Sequence, residues 1–229
     1  MNRAQEIKNY ALKLHAEANT ISEHAENGFT QFACDQLTSS GMIEDFNEIY
    51  FEQKVRHKNM KLNGYHLDNE KENLDLFVSY WTGSLQPVKV DDQIIKNSHK
   101  CLLDFFKESL KRLSDDLRLK SDHYQVSKLI YENKKKFFKV RLFVLTNGLS
   151  KVKNISASKI DGINVYVEVF DIERLYDYST VGNVSTDINL DFNNDFSNQI
   201  ECIGAKNNPK DVETYLAILP GEILYKLYE

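Results

Sequence analysis

Hydrophobic residues recur at three- and four-residue steps near the start of the chain, which predicts two amphipathic helices. The apolar positions of the first stretch are Ile7, Tyr10, Ala11, Leu14 and Ala18. This spacing gives one apolar face to a helix over about residues 3–24. Because Asn27-Gly28 breaks the pattern, a second, short helix is expected to begin near Phe29 and to stop at Ser39-Ser40-Gly41.

The periodicity falls to two between Asn47 and Trp81, as is typical of β-strands. Three β-rich runs follow one another, at residues 48–56, 61–67 and 74–81. The polar segment 68–73 separates the last two runs, which predicts an antiparallel hairpin. We therefore expect the first part of the sheet to be a meander.

Helical and β-rich patterns alternate in the rest of the chain. Asp91 and Asp92 can cap a helix, and a further helix is expected over residues 121–133. Residues 138–145 combine β-forming residues with few polar positions, which predicts a central strand covered on both faces. The remaining expected elements are strands at 163–170, 188–192, 199–203 and 215–219, a short helix after Asp171, and a helix that begins at Pro220.

The organisation of the chain favours one α/β (α+β) domain over residues 1–229, because no repeat, low-complexity tract or Pro/Gly-rich linker divides it. We expect a helical appendage at residues 1–41. Residues 42–229 should then form an α/β core with a mixed central sheet flanked by helices. The strand at 138–145 should share this sheet with the three strands that precede it.

The composition indicates the class of protein, its expected location and whether a metal site is present. Hydrophobic residues make up 41% of the chain and charged residues 28%, the balance of an ordinary globular protein. No apolar run approaches the roughly 20 residues that cross a bilayer, and no signal peptide is evident, so we expect a cytoplasmic protein with no membrane partner. The six histidines and three cysteines lack zinc-ligand spacing, and no metal or other cofactor is expected.

A basic stripe is the first candidate for binding. The net charge of −5 argues against a surface that binds polyanions all over, but a local stripe could still hold phosphates. Lys54, Arg56 and Lys58 alternate along one predicted strand and would point to one face, which could contact a nucleic-acid backbone. The alternative is a solvated face that protects an edge strand from aggregation.

Four segments, in this order and spacing, resemble the amino-terminal domain of the abortive infection phage resistance (AIPR) family over about residues 26–229. They are Asn63-Gly64-Tyr65-His66-Leu67-Asp68 with Leu74-Asp75-Leu76-Phe77-Val78, Val140-Arg141-Leu142-Phe143-Val144-Leu145-Thr146-Asn147, Val169-Phe170-Asp171-Ile172-Glu173-Arg174-Leu175-Tyr176, and Tyr215-Leu216-Ala217-Ile218-Leu219-Pro220-Gly221-Glu222-Ile223-Leu224.

This resemblance implies phage defence. In the family the last segment leads into a long carboxy-terminal region, so the resemblance also implies that this chain is part of a larger protein and that the carboxy-terminal region is its partner. Asn147 departs from the family, in which Asp is frequent at this position, and this puts any role of that carboxylate in doubt.

The order helix, three-stranded meander, helix and strand also resembles the restriction-endonuclease-like, PD-(D/E)xK core. Such nucleases bind Mg²⁺ through an Asp on one strand and an Asp/Glu-x-Lys motif on the next, because carboxylates hold the ion while lysine stabilises phosphate charge. The counterparts here would be Asp68 and Asp75, but Phe77 stands where the lysine is needed. The alternative interpretation places Asp68 in a hairpin turn and Asp75 on its solvent side. His66 has no accompanying nucleophile.

The leading hypothesis is a non-catalytic recognition or scaffold domain with a degenerate nuclease-like core, able to contact nucleic acid and not itself an enzyme. One alternative is a Mg²⁺-dependent nuclease whose lysine comes from elsewhere in the sequence. Another is a protein-binding module that senses a phage component. The sequence does not separate the first hypothesis from the third, and it leaves the phage trigger, the effector and the oligomeric state open.

Overall fold

The computed structural model describes residues 2–68, 70–180, 202–205 and 214–217. Contacts divide the chain into two compact units, residues 1–183 and 184–229, and each is described by itself. The expectation of one domain over residues 1–229 stays a prediction. Within the described residues no helix is long and apolar enough to cross a membrane.

The first unit combines helices with a mixed sheet. Its helices are α1 (Arg3–Ile21), α2 (Ala25–Ser39), α3 (Asp92–Ser109), α4 (Asp122–Asn133) and α5 (Ile172–Thr180). Its strands are β1 (Asn47–Val55), β2 (Lys58–Leu67), β3 (Asn73–Tyr80), β4 (Lys139–Thr146), β5 (Asn154–Ile160) and β6 (Ile163–Phe170). The predicted α/β class is confirmed.

The six strands lie in the order β1-β2-β3-β4-β6-β5. β1, β2 and β3 form the expected antiparallel meander. β4 then runs parallel to both β3 and β6, and β5 closes the other edge antiparallel to β6. A parallel pair needs a long crossover, and α3 and α4 supply it between β3 and β4. The prediction that β4 is a central strand in the same sheet as the meander is confirmed.

One face of the sheet is covered by α3 and α4. Phe105 and Phe106 of α3 and Ile130 of α4 are fully buried in the core that also contains Leu76 and Val144 of the sheet. The helix starts are the expected ones. Asp91 caps α3 by accepting a hydrogen bond from Gln93 N at 2.7 Å, and the Ser121 hydroxyl accepts one from Tyr124 N at 3.3 Å.

The other face is covered by α1, α2 and α5. Leu14 of α1 and Phe29 of α2 are fully buried in one cluster with Phe77, Phe143 and Phe170 of the sheet. The Phe77 and Phe143 rings stack with their centroids 4.7 Å apart. Residues 1–41 thus contribute a layer of the core, which is a closer integration than the predicted appendage.

The start of α2 differs from the prediction, because Asn27-Gly28 lies inside the helix instead of ending it. Gly28 is buried against α1, and a Cβ atom at this position would lie 1.9 Å from Ala18 O. The glycine therefore permits a close approach of two helices and is not a break. α1 also ends earlier than expected, at Ile21.

The connection between β1 and β2 also differs from the prediction. Arg56 and His57 form a two-residue turn with φ of 50° and 63°. The sequence pattern had placed Arg56 in the strand and His57 just after it. Positive φ at both central positions is the geometry that matches the twist of a hairpin. The strand therefore ends at Val55 and the next one begins at Lys58.

The remaining strands are β5 at the sheet edge and a two-stranded pair in the second unit. β5 was not predicted from the sequence. In the second unit β7 (Cys202–Ala205) pairs antiparallel with β8 (Thr214–Ala217), which overlaps the strands expected at 199–203 and 215–219. The strand expected at 188–192 and the helix expected from Pro220 lie outside the described residues.

Candidate functional site

A cavity of about 280 Å³ lies beside the turn between β2 and β3. It collects both carboxylates that the sequence singled out. The charged and imidazole side chains that line it are Glu44, His66, Asp68, Asp75, Lys139 and Arg141. Lys139 and Arg141 come from β4, far from the hairpin in sequence, and the pattern gave no signal that they would join it.

Strand register explains how these residues meet. His66 pairs with Asp75 across the antiparallel β2–β3 ladder, and Asp75 pairs with Arg141 across the parallel β3–β4 ladder. Arg141 in turn pairs with Tyr166 of β6. Side chains directly opposite each other in a sheet lie on the same face. The four residues therefore form one row across four strands.

Asp75 is held in a bidentate ion pair with Arg141. Arg141 Nε donates to Asp75 Oδ1 at 2.7 Å and Nη2 donates to Oδ2 at 2.5 Å, while Nη1 donates to Met42 O at 3.0 Å. Asp75 is only 4% exposed, so its predicted position on the solvent side is wrong. A strand residue next to a turn is shielded here because the 40–46 connector crosses it and the neighbouring strand supplies a guanidinium.

Asp68 organises the hairpin turn, as one interpretation of the sequence proposed. Its carboxylate accepts hydrogen bonds from Glu72 N at 2.8 Å and from Asn73 Nδ2 at 2.7 Å. Burial raises the pKa of the Asp68 carboxyl, but the hydrogen bonds from Asn73 and from the turn backbone outweigh it and leave this pKa below its ordinary value. The ionised Asp68 carboxylate therefore stabilises the turn through these hydrogen bonds.

His66 and Lys139 are the less constrained groups of the cavity. His66 Nε2 lies 3.6 Å from Glu44 Oε2 and has no hydrogen-bond partner among the described residues. The Lys139 ammonium lies 5.6 Å from the centroid of the Tyr166 ring, and no carboxylate of the described residues is within ion-pair distance of it. Lys139 can therefore contact a ligand without first breaking an ion pair, whereas His66 Nε2 is buried.

The basic stripe of Lys54, Arg56 and Lys58 is not a strand face, because Arg56 lies in the β1–β2 turn. Arg56 Nε donates to Asp116 Oδ2 at 2.5 Å, and Lys58 Nζ lies 2.8 Å from Glu108 Oε1. These two cations therefore connect the hairpin to α3 and to the segment after it. The exposed Lys54 is the one member of the stripe that forms no ion pair within the described residues. Nucleic-acid binding by the stripe stays a prediction.

A buried polar cluster between α2 and the meander was missed by sequence reasoning. Glu26 Oε1 accepts from Lys61 Nζ at 2.6 Å and from Asn63 Nδ2 at 3.0 Å. Asn63 Oδ1 accepts from Ser79 N at 2.9 Å, and the Ser79 and Thr30 hydroxyls are 2.7 Å apart. The usable signal was an Asn and a Ser within otherwise apolar strand positions, since buried polar groups need partners.

This cluster lies where the hairpin opens. β2 and β3 pair from Gly64–Phe77 to Leu67–Leu74 and no further. Beyond the last pair, a cavity of about 530 Å³ is lined by Lys54, Lys61, Ser79 and Tyr80 together with residues of α3. Its two lysines offer positive charge near Ser79, although Lys61 is already paired with Glu26.

Possible metal ligands can be assessed in residues 2–68 and 70–180 and in the two short strands of the second unit. No group of three or more His, Cys, Asp and Glu side chains in these ranges could hold a metal ion. Asn147, where the family often has Asp, is buried, and its Oδ1 accepts from Thr82 N at 2.8 Å. It fastens the loop after β3 to the end of β4.

These observations define a three-layer α/β domain whose two candidate carboxylates are held in an ion pair and a turn. The chain matches the family described as abortive infection phage resistance protein N-terminal domain over residues 29–177, more than half of its length, and it belongs to this family. The matched range runs from α2 to α5. The resemblance is therefore confirmed for the first three segments, whereas the fourth, at residues 215–224, lies outside the matched range. Membership implies a role in abortive infection, a form of phage resistance. No curated protein and no solved structure matches the chain.

Proposed function

We propose that residues 1–183 form a non-catalytic recognition or scaffold domain of a phage-defence protein, built on a degenerate restriction-endonuclease-like core. The observation that carries this proposal is the bidentate ion pair between Asp75 and Arg141. A nuclease of this type needs carboxylate oxygens that are free to bind Mg²⁺. Both oxygens of Asp75 already accept hydrogen bonds from the guanidinium.

The cost of freeing Asp75 supports the same conclusion. Breaking a buried ion pair by removing one partner typically costs about 3–5 kcal/mol, since a buried charge is left uncompensated. Metal binding at Asp75 would first have to displace Arg141, and at Asp68 it would have to displace two hydrogen bonds of the turn. Phe77 stands at the position of the missing lysine and is fully buried in the core. A neighbouring side chain cannot bring a positive charge to that position by changing its rotamer.

The nuclease-like core itself is supported by the order and direction of the elements. α2 is followed by the β1–β3 meander, by α3 and by β4 parallel to β3. This is the order that suggested the likeness in the sequence. The topology supports the fold proposal and says nothing about a reaction, because function depends on the site and not on the fold.

The test is a cleavage assay on the purified 229-residue chain. Linear, supercoiled and single-stranded DNA and RNA are incubated with Mg²⁺ or Mn²⁺, and we expect them to remain intact. Asp68→Ala and Asp75→Ala are the comparison variants, with folding checked by circular dichroism. Cleavage that both substitutions abolish without unfolding the protein would replace the non-catalytic proposal.

A second candidate function, a Mg²⁺-dependent nuclease, is favoured by one observation. Lys139 lines the same cavity as Asp68 and Asp75, so a lysine from a neighbouring strand could take the part of the missing one. In that case Lys139→Met should abolish cleavage, whereas Lys96→Met, which changes an exposed lysine of α3 outside the cavity, should not. Loss of cleavage with both variants would argue against a specific role of Lys139.

A recognition or scaffold domain needs binding partners. We propose that the carboxy-terminal region of the larger protein binds this domain in the cytoplasm, and that nucleic acid or a phage protein is the recognised component. Co-purification of separately produced amino-terminal and carboxy-terminal parts tests the first partner. If the two parts do not associate, the scaffold role is wrong and a recognition role remains for the domain alone.

A further inference from the structure

One face of the sheet changes from apolar to polar along β3, β4 and β6. Phe77 and Phe143 pair in register and belong to the core beneath α1 and α2. The next positions on the same face are Asp75, Arg141 and Tyr166, and the positions after those are Asn73, Lys139 and Asn164, which pair across the same strands. Lys159 of β5 pairs with Asn164 and extends the last row.

We define the polar sheet face by six of these residues: Asn73, Lys139, Arg141, Lys159, Asn164 and Tyr166. Its aromatic member is accessible, since Tyr166 is 42% exposed, an unusual degree for a ring in a strand next to the sheet centre. Lys159 lies on the exposed edge strand. The face therefore presents a ring between cations to solvent.

The charges on this face favour an anionic partner. Two carboxylates on this face are already compensated, because Asp75 is paired with Arg141, and Glu168 is paired with Arg174 at 2.8 Å. Asp68 and Glu44 line the cavity on the β2 side of the face, so the site for an anion lies towards β6 and β5. Lys139 and Lys159, by contrast, have no carboxylate of the described residues within ion-pair distance. They are separated by one strand, and two inter-strand spacings place their backbones about 10 Å apart.

The ring distinguishes a single strand from a duplex. A base can stack on an exposed aromatic side chain only when it is not enclosed in a base-paired helix, and such stacking does not require a particular base. The amide of Asn164 adds a donor and an acceptor in the same row as the lysines, whereas the Asn73 amide already donates to Asp68 in the hairpin turn. An exposed ring on a strand with lysines on both sides that form no ion pair within the described residues is the arrangement of a single-strand platform.

We propose that the polar sheet face binds single-stranded nucleic acid, with phosphates against Lys139 and Lys159 and a base against Tyr166. This inference rests on the proposed recognition function and gives that function a site and a ligand class. It differs from the basic stripe of the sequence analysis, in which Arg56 and Lys58 are occupied by carboxylates of α3 and the following turn.

The experiment measures binding separately from cleavage. The 229-residue chain is titrated, in EDTA, into labelled single-stranded RNA, single-stranded DNA and duplex DNA, with fluorescence anisotropy as the readout. We expect single strands to bind more tightly than the duplex, and the RNA and DNA arms identify the preferred strand. Tyr166→Ala should weaken single-strand binding about tenfold, while Tyr166→Phe should retain it, because the ring is what stacks.

The lysines are tested through salt dependence. The double variant Lys139→Ala/Lys159→Ala should reduce the slope of log affinity against log salt by about 1.4, from about 0.7 for each lost phosphate contact on a single strand. Lys96→Ala is the matched control, since Lys96 is exposed on α3, which packs on the opposite face of the sheet, and it should leave affinity and slope unchanged.

Three results would overturn the inference: no binding of single strands, tighter binding of duplex, or a larger loss with Lys96→Ala than with the Lys139/Lys159 variant. Each leaves the non-catalytic proposal standing, since that proposal fails only when cleavage is seen with Mg²⁺ or Mn²⁺. Conversely, cleavage combined with Tyr166-dependent binding in EDTA would support this face and remove the non-catalytic proposal.

Discussion

The guanidinium of Arg141 compensates the most deeply buried carboxylate of the candidate cavity, that of Asp75. We expect Arg141→Met to lower the free energy of unfolding by about 3–5 kcal/mol, because it leaves Asp75 buried without a counter-ion. The double variant Asp75→Leu/Arg141→Met should recover most of this loss, since apolar residues of similar size often replace a buried ion pair without net cost. Urea denaturation of the two variants and the parent measures both values.

A double variant as unstable as Arg141→Met would contradict this account of the pair. It would mean that Arg141 stabilises the chain mainly through its hydrogen bond to Met42 O.

Glu108 of α3 makes a pH-dependent contribution. Burial raises its pKa, but the hydrogen bonds from Lys58 and Arg56 outweigh this and leave the pKa of Glu108 below its ordinary value. A depressed carboxyl pKa stabilises the fold above the unfolded-state pKa, and this stabilisation is lost as the pH falls through the folded-state pKa. Glu108→Gln should therefore lower the Tm at neutral pH and make the Tm less dependent on pH in the acidic range.

Thermal unfolding at a series of pH values checks this, with Glu132→Gln as the control. Glu132 forms only an exposed pair with Lys128 at 3.8 Å, and such pairs contribute little. Equal changes in Tm for the two variants would show that the ion pairs around Glu108 do not stabilise the fold.

At the residue scale the sequence predicted groups whose role is local. The cap Asp91 and the turn residue Asp68 depend on neighbours within a few positions, and the pattern identified both. The Asp75–Arg141 pair joins residues 66 positions apart, and its existence depends on β3 and β4 becoming neighbours. No local pattern encodes that register, so Asp75 was wrongly placed in solvent.

At the scale of elements, α1 and α2 meet through a glycine. Gly28→Ala should raise the helical propensity of α2 by about 1 kcal/mol, yet a Cβ atom would lie 1.9 Å from Ala18 O. A backbone atom cannot move aside as a flexible side chain can, and overpacking typically costs about 1–3 kcal/mol. We therefore expect net destabilisation, measured by urea denaturation.

Thr38→Ala in the same helix provides the comparison, because Thr38 is exposed and its removal should change stability little. Stabilisation by Gly28→Ala would mean that Gly28 is not at a close helix contact.

The same glycine shows why element boundaries were predicted less well than the elements. From local sequence a glycine is interpreted as a helix break, whereas Gly28 lies inside α2 and allows the close approach of α1. The turn at Arg56-His57 carries no glycine, asparagine or proline, and the continuous polar alternation through it gave no signal of a reversal. β5 is a short edge strand with exposed residues 156–159, and its pattern lacks the apolar positions that identified β4 and β6.

At the scale of the whole molecule, helices cover both faces of the six-stranded sheet apart from the polar sheet face, and residues 1–41 supply much of one cover. Leu14 of α1 is fully buried in the cluster that includes Phe143 of β4. Fully burying a leucine side chain contributes about 1.5–3 kcal/mol, and an aspartate there would be an uncompensated buried charge. Leu14→Asp should therefore destabilise the sheet as well as the helix, with faster hydrogen exchange in β4 as in α1.

Leu12→Asp separates this effect from damage to the helix itself. Leu12 lies in the same helix but is 50% exposed, so the same substitution changes helix propensity and charge without entering the core. We expect it to leave the exchange of β4 unchanged. If Leu14→Asp accelerates exchange in α1 alone while β4 keeps its protection, residues 1–41 behave as the separable appendage that the sequence suggested. If protection is lost in both elements while Leu12→Asp behaves like the parent, α1 is part of the layer on which the sheet depends. The reason is that this sheet face cannot lose its helical cover without exposing Phe77, Phe143 and Phe170 to water.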